Sequence, residues 1–173
     1  MTVQALVRNL ARNLTGKLGL GTVSCVLGLF TVAGWSPATA NQPGAIAGVW
    51  LDKSGKAAIE VKACGPELCG NIVWLRDPLD PRGKPWTDIL NPDKAKRQQP
   101  VCGLQIVGGL KSAAGGMWND GWIYDPEEGK SFNVEMSLAD ASTLKVFGFA
   151  GIRLLSETLL WKRLPLDSPR CKR

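Results

Sequence analysis

Residues 131–138 read Ser-Phe-Asn-Val-Glu-Met-Ser-Leu, and in that octet every second residue is apolar. Phe132, Val134, Met136 and Leu138 face one way; Ser131, Asn133, Glu135 and Ser137 face the other. That is the period of a half-buried strand and not of a helix. The run is bounded by Asp125-Pro126-Glu127-Glu128-Gly129 and by Ala139-Asp140-Ala141-Ser142, both rich in turn-forming residues. A strand held between two tight turns pairs with its sequence neighbours, so the local unit is an antiparallel meander.

Outward from this strand the same period recurs. Ile59 and Val61 alternate with Glu60 and Lys62, and similar runs lie near 47–52, 57–63, 69–76, 103–110, 117–124, 143–150 and 157–164. With 130–138 this makes about eight strands by the period-two criterion. Residues 77–102 break the pattern with Pro78, Pro81, Pro85, Pro92 and Pro100, and no interior strand tolerates such a run. One helical turn is expected there from Asn91 to Arg97, with Asn91 as its cap and Pro92 at its first position. Loops of this length in compact domains usually carry function or lack order.

Eight antiparallel strands in sequence either close into an up-and-down barrel or pack as a sandwich. Closure removes exposed edges and leaves room for side chains or one small ligand. The ends of the pattern favour the barrel. Gly48-Val49-Trp50 lies on the first strand and Trp161-Lys162-Arg163 on the last, and an Arg163 guanidinium over the Trp50 ring would close the bottom by a cation–π contact of about 1 kcal/mol. The expected fold is therefore all-β, an antiparallel up-and-down barrel with one long Pro-rich loop.

The N-terminus has a separate logic. Arg8, Arg12 and Lys17 precede an apolar run from Leu18 to Gly34, and Ala38-Thr39-Ala40 follows with the small residues a signal peptidase accepts. Residues 1–40 read as a cleavable signal and 41–173 as one domain. The run is short and Gly-interrupted for a membrane anchor, which needs about 20 apolar residues. Cys25 is removed with it. The three basic residues of the signal lower the net charge from +6 to +3 when lost, because no acidic residue precedes Asp52. Arg170, Lys172 and Arg173 then hold as much charge as the net, so the body is near neutral and offers no basic footprint for nucleic acid.

Four cysteines remain, Cys64, Cys69, Cys102 and Cys171, an even number in an exported chain. Cys64 and Cys69 flank the turn Gly65-Pro66-Glu67-Leu68 and are expected to bridge a hairpin neck. Cys102–Cys171 is the default for the other two.

At this point the residues resemble a known family. Gly48-Val49-Trp50, Cys64-Gly-Pro-Glu-Leu-Cys-Gly-Asn-Ile-Val-Trp74, Asp88-Ile-Leu-Asn-Pro92, Gly121-Trp-Ile-Tyr-Asp-Pro-Glu-Glu-Gly-Lys130 and Trp161-Lys-Arg163 occur in the order seen in the bacterial domain-of-unknown-function family 2147. The chain departs from that family before the last Trp, with Ser156-Glu-Thr-Leu-Leu160 where a Gly-Arg-Thr-Gln type of run is usual. The resemblance implies a small exported protein with a lipocalin-like barrel and implies no established chemistry.

The chain has no histidine, which removes Ser-His-Asp and Cys-His nucleophiles and His-ligated zinc. No Cys-x-x-Cys knuckles occur, and Gly108-Gly109 and Gly115-Gly116 lack the Lys-Ser/Thr of a phosphate loop. Neither a metal nor a cofactor is expected. Catalysis would have to rest on carboxylates such as Asp77, Asp80, Asp88, Asp93, Asp120 or Asp125, but Asp beside Pro is ordinary turn chemistry. No catalytic residue is therefore assigned. The ligand-binding candidates are Trp86, Asp88 and Asn91 on the long loop, acting as a flap, with Trp118, Asp120, Trp122 and Tyr124 sharing one face of the fifth strand. The leading expectation is a periplasmic or secreted, non-enzymatic protein that takes a small apolar or amphipathic molecule. The rivals are an envelope protein-interaction module with a filled barrel and a carboxylate hydrolase.

Overall fold

The structure is a computed structural model and describes residues 43–171. The signal assigned to residues 1–40 lies outside the described residues. Eight strands, β1 (Gly48–Leu51), β2 (Ala57–Cys64), β3 (Glu67–Leu75), β4 (Gln105–Ser112), β5 (Trp118–Asp125), β6 (Lys130–Asp140), β7 (Thr143–Phe149) and β8 (Ser156–Leu164), each pair antiparallel with the next. β1 also pairs with β8, so the barrel is closed and leaves no free sheet edge. Each strand lies within two residues of its expected position.

Closure is made where the sequence pattern placed it. Trp50 stands opposite Arg163, and the guanidinium carbon lies 4.0 Å from the indole centroid. Arg163 also donates to the carbonyls of Ala47, Ala45 and Ala141 at 2.9, 2.8 and 2.7 Å. A short helix not anticipated from the sequence, α1 (Pro43–Ile46), completes this end. Its Ile46 is 1% exposed, and the Trp50 indole donates to the Ile46 carbonyl at 3.1 Å. Above this plug the lower half of the interior is packed solid by Val61, Leu68, Leu110, Trp118, Val134, Met136 and Leu144, all buried. Each such side chain contributes about 1.5 to 3 kcal/mol on leaving water.

Both expected bridges are present. Cys64–Cys69 closes the neck of the β2–β3 hairpin, and Cys102–Cys171 ties the C-terminal tail to the end of the long loop. The tail is further held by the Cys171 amide on the Val73 carbonyl and by Arg170 on Glu60 at 2.7 Å. That contact holds the Glu60 carboxyl below its usual range.

The parity of β5 differs from expectation. The register with β6 shifts between Trp118 and Gly121, and Asp120 takes φ 62°, a conformation few non-glycine residues adopt. This bulge inserts an extra residue and breaks the single face. Trp118 enters the packed floor, whereas Trp122 is 40% exposed, with its indole against Gly108 and Gly109. A Cβ on Gly108 would run into that ring, at 2.6 Å from Cζ2.

Candidate functional site

A cavity of about 960 Å³ opens at the end formed by the β1–β2, β5–β6 and β7–β8 connections. At its base lie Ile59, Ile72, Ile106, Val146 and Trp161, each at most 6% exposed and part of the buried core; the half-buried Leu75, Ile123, Phe132, Phe149 and Leu159 line it more openly. These are the inward positions of period-two strands, one or two steps above the packed floor. Trp161 marks the boundary, since it lines the cavity and pairs with Leu144 of the floor.

The rim is charged. Lys53 pairs with Glu157 at 2.9 Å and Lys56 with Glu127 at 3.1 Å, the second pair joining the β1–β2 turn to the β5–β6 turn on the far side of the barrel. All four side chains are more than half exposed, so each pair is worth at most about 1 kcal/mol. Asp52 and Asp125 accept turn amides, Asp52 from Ser54 and Ala57 and Asp125 from Glu127 and Glu128. The rim carboxylates are thus engaged in turns and ion pairs.

One side of the mouth is an apolar lip. Residues 150–155 between β7 and β8 carry Ile152, Leu154 and Leu155, all largely exposed, and the last two line the cavity. Arg153 anchors this lip to the outer wall. It grips Glu135 with both terminal guanidinium nitrogens, Nη2 to Oε2 at 2.9 Å, and lies 5.1 Å and 5.6 Å from the Phe147 and Phe149 ring centroids.

The long loop is not a flap. None of residues 77–102 lines the cavity. Instead the loop bonds to itself and to the wall, through the bridges Leu79–Pro85 and Thr87–Pro100 and through Asp88. Asp88 is 0% exposed; its carboxylate accepts from the Tyr124 hydroxyl at 2.7 Å and from the Asn91 amide at 2.6 Å. Burial pushes the Tyr124 phenol up to about 12, and the Asp88 hydrogen bond and charge act in the same direction. The expected cap is corrected: the helical turn is a 3-10 turn at Lys94–Lys96 capped by Asp93, which accepts from Ala95 at 3.0 Å. Asn91 is drawn inward by Asp88, and its side-chain Oδ1 accepts from the Asp93 backbone amide.

Of the seven ligand-binding candidates, only Tyr124 lines the cavity. Trp86 is exposed on the loop, Asp88 and Asn91 form its anchor, Trp118 lies in the floor, Asp120 forms the bulge and Trp122 lies on the outer wall. The residues that make the cavity were missed. Their only signal was inward parity, which they share with the packed floor.

Closed eight-stranded topology, a plugged end and an open apolar cavity define a lipocalin-like barrel. The chain belongs to the bacterial family described as "Uncharacterized protein conserved in bacteria (DUF2147)", whose model matches residues 48–163. Among solved structures it is similar to protein HP1028 from the human pathogen Helicobacter pylori, described as belonging to the lipocalin family. The two are 17% identical, with a TM-score of 0.60, and the match covers 69% of this chain and 82% of that one. No curated protein matches. At that identity the structural likeness speaks for the fold alone.

Proposed function

We propose that the protein is exported and binds one small, apolar or amphipathic molecule in the upper half of its barrel, without transforming it. The observation that carries this reading is the cavity of about 960 Å³ with aliphatic and aromatic walls below a charged rim, a size and lining suited to small-molecule ligands. A protein that used only its outer wall would have no need of an open apolar pocket at its barrel mouth, since covering it with side chains would add stability. Export is supported by the Ala38-Thr39-Ala40 site and by two disulfides, which persist in oxidising compartments. No helix among the described residues is long and apolar enough to cross a membrane.

The test is native mass spectrometry of protein purified from its own periplasm, beside saturable binding of 1-anilinonaphthalene-8-sulfonate. The expected result is one co-purifying small molecule, recovered chemically unchanged and displacing the dye. Absence of both adduct and saturable dye binding would overturn the reading, and N-terminal sequencing should begin at Asn41.

A further inference from the structure

The β7–β8 connection at the cavity mouth reads Ala150-Gly151-Ile152-Arg153-Leu154-Leu155. The Ala150 amide donates to the Leu155 carbonyl at 3.0 Å and closes the base of this loop, so residues 151–154 form its apex. Ile152 is 60%, Leu154 87% and Leu155 63% exposed, and Leu154 is the most exposed large apolar residue among the described residues. A single exposed leucine is ordinary. Three aliphatic side chains on one short loop form a contiguous apolar surface, and such surfaces mark interaction sites.

Size, composition and charge say what covers it. Three side chains present at most a few hundred Å², whereas a stable protein interface takes roughly 800 Å² from each partner. Protein interfaces are anchored by Trp, Tyr and Arg, with Leu under-represented. This apex has no aromatic residue, and its one arginine is held by Glu135 above the Phe147 and Phe149 rings. Arg153 therefore brings no unpaired charge toward hydrocarbon. At the mouth, Lys53 and Lys56 are paired with Glu157 and Glu127, while Asp52 and Asp125 add negative charge. No cationic excess is left to seek anionic lipid. What remains is a small aliphatic tip beside an apolar cavity that Leu154 and Leu155 also line. A lipid surface suits such a tip, and it is also where apolar small molecules accumulate.

Resting on the binding reading above, we infer that Ile152, Leu154 and Leu155 enter the headgroup–acyl boundary of a zwitterionic phospholipid surface, and that the cavity exchanges its apolar molecule with that surface by direct contact. The contact is brief. A whole myristoyl chain gives only reversible binding of about 10⁴ M⁻¹, and these three side chains bury less.

The probe is N-phenyl-1-naphthylamine, a neutral apolar dye. Loaded protein is mixed by stopped flow with phosphatidylcholine vesicles carrying a nitroxide lipid, which quenches the dye on arrival. Transfer from wild type should speed up in proportion to vesicle concentration. Ile152→Ser, at an exposed position outside the cavity lining, should keep the wild-type dye affinity and weaken that dependence at least threefold; adding Leu154→Ser should weaken it further. A transfer rate that ignores vesicle concentration while the dye binds saturably would mean release through water, so the inference fails and the binding reading stands. The same holds if wild type and both variants respond equally to vesicles, or if the response appears only with phosphatidylglycerol. A wild-type dimer in sedimentation that Ile152→Ser dissolves would assign the lip to a second copy and overturn the inference. Absence of saturable dye binding removes the binding reading and the inference together.

Discussion

Arg163 of the last strand faces Trp50 of the first, and one guanidinium both covers the indole ring and donates to three backbone carbonyls. It therefore joins β8, the β6–β7 turn, α1 and the residue that follows α1. Arg163→Ala removes the cation–π contact and leaves those carbonyls without their partner, and should cost about 2 to 4 kcal/mol in chemical denaturation. Arg163→Met, which keeps apolar cover over the ring, should recover part of that loss. An unchanged denaturation midpoint in Arg163→Ala would show that the closure does not depend on this pair.

The chain contains one tyrosine, so phenolate absorbance reports Tyr124 alone. Its pKa is raised from 10.0 to about 12 in the folded state, by burial first and then by Asp88. A raised pKa means that the stabilisation is fully present below pH 10 and is lost as the pH rises from 10 toward 12. Folded wild type should show little phenolate at pH 11, where the denatured chain is mostly ionised. Asp88→Ala, which removes the acceptor and opens the loop anchor, should move the transition down toward 10. Equal titration curves for folded and denatured wild type would contradict the buried Asp88–Tyr124 bond.

Cys102–Cys171 spans 69 residues and Cys64–Cys69 only five. In the loop-closure account, cross-linking the longer segment restricts the unfolded chain more, about 4 kcal/mol against about 2. Replacing Cys102 and Cys171 with serine should lower stability more than the same change at Cys64 and Cys69. Peptide mapping without reduction should recover both linked pairs. The reverse ranking of the two double variants would mean that the short bridge holds native geometry, not merely chain entropy.

The strands were legible because alternation is a local property: Phe132, Val134 and Met136 announce a buried face whatever lies opposite. The Trp50–Arg163 closure was legible because an aromatic and a cation stood on the two terminal strands of one meander. The cavity was not, and β2 shows why. Ile59 and Val61 have the same parity and chemistry, yet Ile59 lines the cavity and Val61 belongs to the packed floor. Which is which depends on the end that α1 plugs, a tertiary fact. The β5 face was misjudged for a different reason. A one-residue bulge at Asp120 reverses every side chain beyond it, and an aspartate at positive φ leaves no mark in the pattern. Asp88 and Asn91 read from sequence as ligand-binding residues, but Tyr124, which bonds to Asp88, lies on another strand, and that contact makes them an anchor of the loop.

The lip at residues 150–155 leads to the final prediction. Its internal hydrogen bonds are few: Ala150 donates to Leu155 at 3.0 Å, Ile152 to Ala150 at 2.8 Å and Leu155 to Ile152 at 3.1 Å. Its apolar side chains are largely exposed, so burial supplies little stability. Arg153 compensates by fixing the loop to Glu135 and to the Phe147 and Phe149 rings. Arg153→Ala should therefore leave the barrel folded, apart from the cost of stranding the buried Glu135 carboxylate, and should release the lip. The amides of Ala150, Ile152 and Leu155 should exchange with solvent at least tenfold faster, while those of β2 and β3 stay protected. Arg153→Ala combined with Glu135→Gln should regain stability without restoring slow exchange in the lip, because the second change removes the stranded charge and not the missing tether. Because Leu154 and Leu155 line the mouth, the released lip should also speed dye dissociation more than it changes dye association. Unaltered exchange at these three amides in Arg153→Ala would show that the lip is held by its own turn and that Arg153 is only a surface charge.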